Sequence, residues 1–326
     1  PILVISADGK GIVMHERDLR EQTRKAASKR TKKMGSRLSK GEKKNSKRMA
    51  TVATVYTIDP FKRVPEDLVA ETGCRLKKEK RPRPEQKRVW ASIEKSPKEV
   101  IEEAFREAYR RDPTHEKQWI ALVDGDNTQI RILRKTAKKK GIDLTIIVDL
   151  IHVIEYLWKA GRAFHPKSGI MLESWVRHRL ISVLYGKAGL IAGGMRRSAT
   201  FNELKDEKRK SVDNSATYLQ NKKKYLHYDH YLAEGFPIAT GVIEGACRHL
   251  VKDRMEVTGA KWTLLGAEAV LKLRALHSSH DFDEYWEYHE TCEYQRNHQA
   301  LYAGGVVPPT NNSQISSKND HLKIIK

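Results

Sequence analysis

The chain has 326 residues, and its 62 Lys and Arg against 41 Asp and Glu give a net charge of +21. With 39% hydrophobic residues it is long and apolar enough for one large domain with an insertion, or for two domains. The charge predicts a polyanionic partner, nucleic acid above all, and no apolar run reaches the roughly 18 residues of a membrane span. The three widely spaced cysteines form neither a metal knuckle nor a disulfide framework, so we expect a reducing compartment.

The N-terminal segment combines a strand pattern with a strongly basic run. Residues 1–14 predict a buried strand, an aspartate (Asp8), a glycine-rich turn and a returning strand. From Arg20 to Arg48 there are thirteen Lys or Arg against two acids. Such a run is usually solvated or disordered, but inside the sheet of a basic protein it favours contact with phosphates. The DNA-binding candidates in this run are Arg37, Lys40, Lys43, Lys44, Lys47 and Arg48.

A strand and a helix follow, separated by a connection rich in Pro and Lys. Residues 49–58 are β-branched and aromatic enough to predict a second strand, antiparallel to the first. Residues 60–95 form the connection. Ser96 then provides an N-cap and Pro97 a first helical residue, which predicts a helix that ends at Arg111, before the following Asp-Pro pair.

The stretch from Trp119 to His152 predicts a βαβ unit. Two short β-branched runs, residues 119–123 and 144–148, flank a segment with helical spacing, so they predict neighbouring parallel strands. Asp124 and Asp149 follow directly after the two runs. Ligands of open parallel sheets bind at the carboxyl ends of the strands, so both aspartates are expected in one crevice, where a metal ion would bind.

After His152 the apolar period changes from two to about 3.6 residues. Residues 151–236 are therefore expected to form an all-helical block. Three more helices are predicted, over 240–255, 264–277 and 282–298. The tail from Ala303 onward, with its Gly-Gly, Pro-Pro and Asn-Asn pairs, predicts disorder.

Acidic residues in this pattern suggest a metal-dependent reaction. Glu244 lies beside the predicted apolar face of helix 240–255, in line with Arg248 and Lys252, and can add a third carboxylate to the crevice. A first-turn glutamate paired with Arg248 is the alternative, and Asp8 and Asp124 can each serve as turn formers before glycine. Together the three acids supply the carboxylate oxygens that Mg²⁺ prefers, and two such ions can activate a water or a 3′-hydroxyl.

His152 follows Asp149 by three residues, at the junction of strand and helix. The pair can orient the imidazole toward phosphate or brace the site. A structural capping pair is an equally good interpretation.

Three motifs carry a resemblance to a known family. Residues 240–255 read TGVIEGACRHLVKDRM, residues 147–160 read IVDLIHVIEYLWKA, and residues 38–53 read LSKGEKKNSKRMATVA. The chain, over about residues 1–302, thereby resembles the ISKra family of bacterial insertion-sequence transposases, within the wider Mutator-like DDE group.

The resemblance implies an α/β fold, namely a ribonuclease-H-like mixed sheet with an all-helical insertion before the helix that bears the last acid. The core would span residues 1–150 and 237–302, with the insertion at 151–236. The family's metal-binding acids fall on Asp8, Asp124 and Glu244, and its Asp-x-x-His element on Asp149 and His152. Asp126 and Asp149 compete with Asp124 for the second acid. The end-recognition domain of such transposases would precede Pro1, so we expect the natural N-terminus to lie beyond this chain.

The activity implied is DNA cleavage and strand transfer with two Mg²⁺ or Mn²⁺ ions. The implied partner is double-stranded DNA, both transposon ends and target, bound by a homo-oligomer in the bacterial cytoplasm at the nucleoid. Two alternatives stay open: another ribonuclease-H-like nuclease, and a catalytically inactive DNA-binding remnant in which the acids are structural.

Overall fold

The computed structural model describes residues 1–28, 46–69, 81–167 and 169–299. Its fold is α/β, as predicted, with one open mixed sheet. The chain divides into two compact units, residues 1–280 and 281–326. The predicted tail lies outside the described residues.

Five strands in the order β3-β2-β1-β4-β5 make up the sheet. β1 pairs antiparallel with β2 and parallel with β4, β2 pairs antiparallel with β3, and β4 pairs parallel with β5. The predicted parallel pair 119–123 and 144–148 is confirmed. The strand bounds are β1 Ile2–Val13, β2 Lys47–Ile58, β3 Glu85–Ser92, β4 Gln118–Val123 and β5 Leu144–Val148.

Helices connect the strands and then continue without further strands in the described part of the chain. Between strands lie α1 Glu21–Ser28, α2 Pro97–Arg111 and α3 Asn127–Lys140. The helical block, as predicted, consists of α4 Leu150–Phe164, α5 Ile170–Leu184, α6 Ala188–Phe201, α7 Asp206–Lys222 and α8 Tyr228–Ala233. After it come α9 Gly241–Cys247, a π-helical segment Arg248–Lys252, α10 Asp253–Met255 and α11 Leu264–Ser279, and the second unit contains α12 Phe282–Tyr294.

The predicted hairpin within residues 1–14 is wrong. β1 runs through the glycine-rich stretch as a single strand and pairs with β2 along its whole length, from Ile2 opposite Ile58 to Val13 opposite Lys47. The glycines allow close approach here and do not form a turn. A Cβ atom on Gly11 would lie 2.8 Å from Cδ of Lys47.

Local capping explains α2, whereas β3 was not predicted. Ser96 accepts a hydrogen bond from the backbone N–H of Glu99, whose carboxylate in turn accepts from the Ser96 N–H, so a capping box begins the helix as expected. β3 lies in the segment interpreted as a connection. Its first four residues are charged or polar and largely exposed, and only the second half, from Val89, is buried. The first half of β3, an edge strand, therefore lacks the alternation of apolar and polar residues by which a strand is predicted.

Two apolar cores lie in the first unit. The larger core joins the centre of the sheet to α2 and α3 and to the helical block, through residues such as Val123, Leu157 and Leu219. The smaller core packs α9, the π-helical segment and α11 against β2 and β3, with Ile243, Leu250 and other residues buried. The helical block therefore shares its core with the sheet, and its helices are held close to the ends of β4 and β5.

Candidate active site

Strand register brings three aspartates to one level at the end of the parallel strands. β1 and β4 pair from Ile2 with Gln118 to Ser6 with Leu122, and this register, continued by two residues, places Asp8 beside Asp124. β4 and β5 pair up to Val123 with Val148, and one further residue places Asp124 beside Asp149. All three aspartates therefore lie near this edge of the sheet, and Asp124 lines a cleft there. Their environments differ.

Asp8 lies in β1, half-buried, where the two cores meet. Its Oδ1 accepts a hydrogen bond from the backbone N–H of Gly9 at 2.6 Å, and its Oδ2 accepts one from Sγ of Cys247 at 3.2 Å. Burial, followed by the negative charge of Asp8, raises the pKa of the Cys247 thiol, so the thiol stays protonated and donates. This bond fastens α9, the helix that carries Glu244, to the strand that carries Asp8.

Asp124 follows β4 and begins a short turn into α3. Its Oδ1 accepts a hydrogen bond from the backbone N–H of Asp126 at 2.8 Å. Burial raises the pKa of the Asp124 carboxyl, the Asp126 N–H lowers it, and the charge of Asp8 raises it further. Asp8 and Asp124 are thus electrostatic neighbours. Asp126 caps α3 by accepting from the Gln129 N–H at 2.8 Å, which accounts for its place in the Asp-Gly-Asp sequence.

A tyrosine of the helical block braces the Asp124 turn. The Tyr218 hydroxyl on α7 donates to the backbone carbonyl of Asp124 at 3.1 Å, and its ring stacks on Tyr156 of α4 with the centroids 3.9 Å apart. Gly125 has φ of 97°, and a Cβ there would lie 2.8 Å from the Tyr218 hydroxyl. Only glycine therefore fits both the backbone conformation and the space.

Asp149 has a structural environment. Its side chain is fully buried, and one oxygen accepts from the backbone N–H groups of Ile151 at 3.0 Å and Thr240 at 3.3 Å. The other oxygen accepts from the Thr240 hydroxyl at 2.6 Å. Asp149 therefore caps α4 and at the same time holds the residue that precedes α9. The predicted catalytic use of this carboxylate would require these bonds to break.

His152 lies on α4 and lines a polar cleft, of about 720 Å³, between the end of β4 and α7. The sequence suggested a pair with Asp149, but Nδ1 of His152 lies 3.4 Å from an oxygen of Glu155 instead. The imidazole is nevertheless close enough to Asp124 to lower the pKa of its carboxyl. His152 therefore lies in the cleft near Asp124, but it does not pair with Asp149.

Glu244 lies on α9, one turn before Cys247, with an exposed side chain. Within the described residues its carboxylate makes no hydrogen bond or ion pair. The alternative pair with Arg248 is not formed, because the helix widens into the π-helical segment and Nε of Arg248 lies 3.5 Å from Asp253. Lys252 is also exposed, and its charge slightly opposes the rise in the pKa of the Cys247 thiol that burial and Asp8 cause, so it lies near Cys247.

The predicted basic DNA-binding run is only partly described. Lys47 and Arg48 begin β2 and make internal contacts: Nζ of Lys47 lies 2.9 Å from Glu256, and the Arg48 guanidinium donates to the carbonyls of Ile93 and Asp18. Both residues therefore hold structure together at this end of the sheet. Arg37, Lys40, Lys43 and Lys44 lie outside the described residues.

The donor set fits a hard divalent ion. Asp8 and Asp124 hold two carboxylates near one another. Burial, and to a lesser extent the charge of Asp8, raises the pKa of Asp124, and a cation between the two carboxylates would favour their charged forms. Within residues 1–28, 46–69, 81–167 and 169–299, no three His, Cys, Asp or Glu side chains converge into a ready metal cluster. Asp8 and Asp124 could hold such an ion, and Glu244 is the acid that α9 carries.

Sequence reasoning missed two residues of this region, Tyr218 and Lys222. Tyr218 lies in a polar helix without a marked apolar face, so no pattern signals its contact with Asp124. Lys222 begins a run of three lysines that suggests a solvated surface, yet its side chain is only 5% exposed. Only the packing of α7 on the sheet distinguishes these residues from their neighbours.

Comparison with known protein families, curated proteins and solved structures finds no match to this chain. Among the helices that the structure describes, none combines the length and the apolarity needed to span a bilayer.

Proposed function

We propose that this protein is a DDE-type DNA transposase of a bacterial insertion sequence, which cleaves DNA and transfers strands with divalent metal ions. One observation carries the proposal: the strand register sets Asp8 beside Asp124, and Cys247 fastens the Glu244 helix to Asp8. These are the three acids that the family resemblance implied. Asp8 and Asp124 lie near one another although they are far apart in sequence, and Glu244 lies on the helix that Cys247 joins to Asp8.

The architecture supports the same proposal. The resemblance implies a ribonuclease-H-like sheet with a helical insertion between the fifth strand and the helix of the last acid. The chain has a five-stranded mixed sheet, and α4 to α8 lie between β5 and α9. We therefore interpret the α/β fold as ribonuclease-H-like.

The acids and the cations have separate tasks in this proposal. Asp8, Asp124 and Glu244 would hold two Mg²⁺ or Mn²⁺ ions, which when bound make a water or a 3′-hydroxyl nucleophilic and stabilise the leaving oxygen. Arg248 and Lys252 attract the DNA backbone near Asp8. Asp149 keeps α9 in place through Thr240.

The net charge of +21 supports double-stranded DNA as the partner, at transposon ends and target. Paired ends call for a homo-oligomer on DNA. The expected location is the bacterial cytoplasm, at the nucleoid.

A second candidate function is DNA binding without cleavage. It is favoured by one observation, that no three potential metal ligands converge among the described residues. In that case the acids are structural and only the basic surface is used.

Metal-dependent nicking of supercoiled plasmid tests the choice. The wild type is compared with Glu244→Gln, and with Glu173→Gln as a control that removes an exposed acid from α5, at protein concentrations giving equal DNA binding. The transposase proposal predicts nicking by the wild type and the control, and none by Glu244→Gln. Binding without nicking by all three proteins would favour the second function, and nicking by Glu244→Gln would remove Glu244 from the mechanism.

A further inference from the structure

The cleft between the sheet and the helical block contains a buried cation close to the candidate acids. Lys222, the last residue of α7, lines this cleft together with Asp124, Asn127 and His152. Its side chain is only 5% exposed, whereas the next two lysines along the chain are exposed. A lysine is almost never buried to this degree unless its charge has a partner.

The contacts of Lys222 leave its charge largely uncompensated. Its Nζ donates to Oδ1 of Asn127 at 2.5 Å, a neutral acceptor. In the described part of the chain no carboxylate oxygen lies within 4 Å of Nζ. Burial lowers the pKa of Lys222, and the charges of Asp126 and Asp124, which lie farther away, act in the opposite direction. An ammonium has three donors, so two remain for a ligand in the cleft.

The start of α3 adds a second source of positive potential. Asn127, the partner of Lys222, is the first residue of this helix, and its N-terminal end faces the same cleft. Helix N-termini favour anions, and among the described residues the Asp126 side chain accepts a hydrogen bond from one N–H at this end, that of Gln129.

A phosphate that approaches Asp124 meets repulsion from the two aspartates of this turn. A fixed ammonium beside them offsets that repulsion.

We infer that Lys222 binds a backbone phosphate of the DNA strand that enters this cleft, so that the helical block contributes a cation to the cleavage site. The inference rests on the proposed function and names a contact to its substrate. Lys222 would act as a phosphate-binding residue, and Asn127 would position it.

The salt dependence of DNA binding tests this inference without metal. A labelled single strand and its duplex are titrated in EDTA between about 50 and 200 mM salt, with the wild type, Lys222→Gln and the control Lys223→Gln, which removes an exposed lysine next in sequence. Loss of one phosphate contact lowers the steepness of log K against log salt by about 0.9 on duplex and about 0.7 on the single strand, and weakens binding about tenfold at the low-salt end. We expect this for Lys222→Gln, and an unchanged slope for Lys223→Gln.

Two further variants test whether Lys222 binds phosphate or only stabilises the fold. Lys222→Arg keeps the charge and should keep the slope. Asn127→Asp keeps the lysine but gives it a carboxylate partner, so it should lower the slope as Lys222→Gln does, with no loss of thermal stability. If Lys222→Gln melts earlier, Asn127→Asp carries the test alone. A wild-type slope in Asn127→Asp would overturn the inference.

The remaining outcomes distinguish DNA from a small phosphorylated ligand. They also distinguish failure of the Lys222 inference from failure of the transposase proposal. Inorganic phosphate that raises the melting temperature only when Lys222 is present, with no change of DNA slope, would assign the cleft to a small phosphorylated ligand and overturn the DNA contact. Binding in EDTA does not depend on cleavage, so a failed nicking assay would count against the transposase proposal and leave the Lys222 result standing. A wild type that binds no DNA would overturn both.

Discussion

The ends of β4 and β5 are alike in sequence and different in structure. Each strand is parallel and buried, each is followed directly by an aspartate, and the register sets Asp124 and Asp149 side by side. A tyrosine hydroxyl of the helical block binds a carbonyl at each end, Tyr218 at Asp124 and Tyr228 at Val148, at 3.1 and 2.6 Å.

The two carboxylates nevertheless have different environments. Asp149 is saturated by donors and fully buried, whereas Asp124 has one backbone donor and a second carboxylate nearby. Hydrogen-bond donors stabilise a buried charge, and a neighbouring acid does the reverse. Position at a strand end therefore does not identify a catalytic acid, but an acid left short of donors beside another acid is a candidate.

The largest expected effect is the loss of DNA nicking on the substitution Asp124→Asn. Loss of the carboxylate should lower the nicking rate by about three orders of magnitude, or about 4 kcal/mol of transition-state stabilisation, because it removes a proposed ligand of the metal ions. Asp126→Asn is the matched control, since asparagine caps a helix as well as aspartate does. If Asp126→Asn abolished nicking and Asp124→Asn did not, Asp126 would be the second acid.

Asp149→Ala should instead unfold the protein more easily. Three donors around Thr240 and Ile151 would lose a buried acceptor, for an expected loss of about 2–4 kcal/mol in the free energy of unfolding. Urea denaturation measures this, with Asp143→Ala as the control, because that acid is exposed and its removal should change stability by less than about 0.5 kcal/mol. Equal urea midpoints for the two variants would contradict a stabilising role of the hydrogen bonds from Ile151 and Thr240 to Asp149.

The two tyrosines offer a finer comparison. Tyr218→Phe and Tyr228→Phe each remove one hydroxyl and keep the ring, so each should cost about 1 kcal/mol of stability, with the larger loss at the fully buried Tyr228. Only Tyr218→Phe should also slow nicking at matched fractions of folded protein, because only Tyr218 holds the Asp124 turn. Similar nicking rates for both variants would mean that the turn needs no brace.

The smallest effect concerns pH. The pKa of Asp124 is raised in the folded protein by burial, with a further rise from the charge of Asp8. The folded state therefore binds this proton more tightly than the unfolded chain, and the resulting stability is fully present below about pH 3.9 and is lost as pH rises through the folded value. In EDTA, Asp124→Asn should be more stable than the wild type at pH 7, and the difference should shrink toward zero on acidification. A difference in urea midpoint between Asp124→Asn and the wild type that stays constant from pH 7 to acidic pH would contradict a raised pKa of Asp124.

Much of the sheet could be predicted from sequence, because local signals and tertiary structure agree there. The β-branched runs of β4 and β5 and the Ser96 capping box each appear where the pattern indicates. The Asp-Gly-Lys-Gly stretch after Ala7 predicts a turn that the structure does not contain, because glycine is typical both of turns and of close approach between strands. The cross-strand partner Lys47, far along the chain, decides between the two.

For the candidate site, the sequence predicts which acids to consider but not the environment of each. Asp8, Asp124 and Glu244 came from strand ends and a family resemblance. Asp149 joins the start of α4 to the start of α9 through its hydrogen bond with Thr240, and no local sequence pattern links these two residues. The buried lysine Lys222 is indistinguishable in sequence from the exposed lysines that follow it, because burial is a property of the packed fold.

Mn²⁺ binding, followed by the electron paramagnetic resonance of the free ion, tests most directly whether Asp8 and Asp124 form one divalent-metal site. The proteins to compare are the wild type, Asp8→Asn, Asp124→Asn and Asp149→Asn, each confirmed as folded. We predict that the wild type and Asp149→Asn bind Mn²⁺ with similar affinity and that each of the other two variants binds at least about tenfold more weakly. Equal Mn²⁺ affinity in Asp124→Asn and the wild type would contradict a shared metal site at the end of β4.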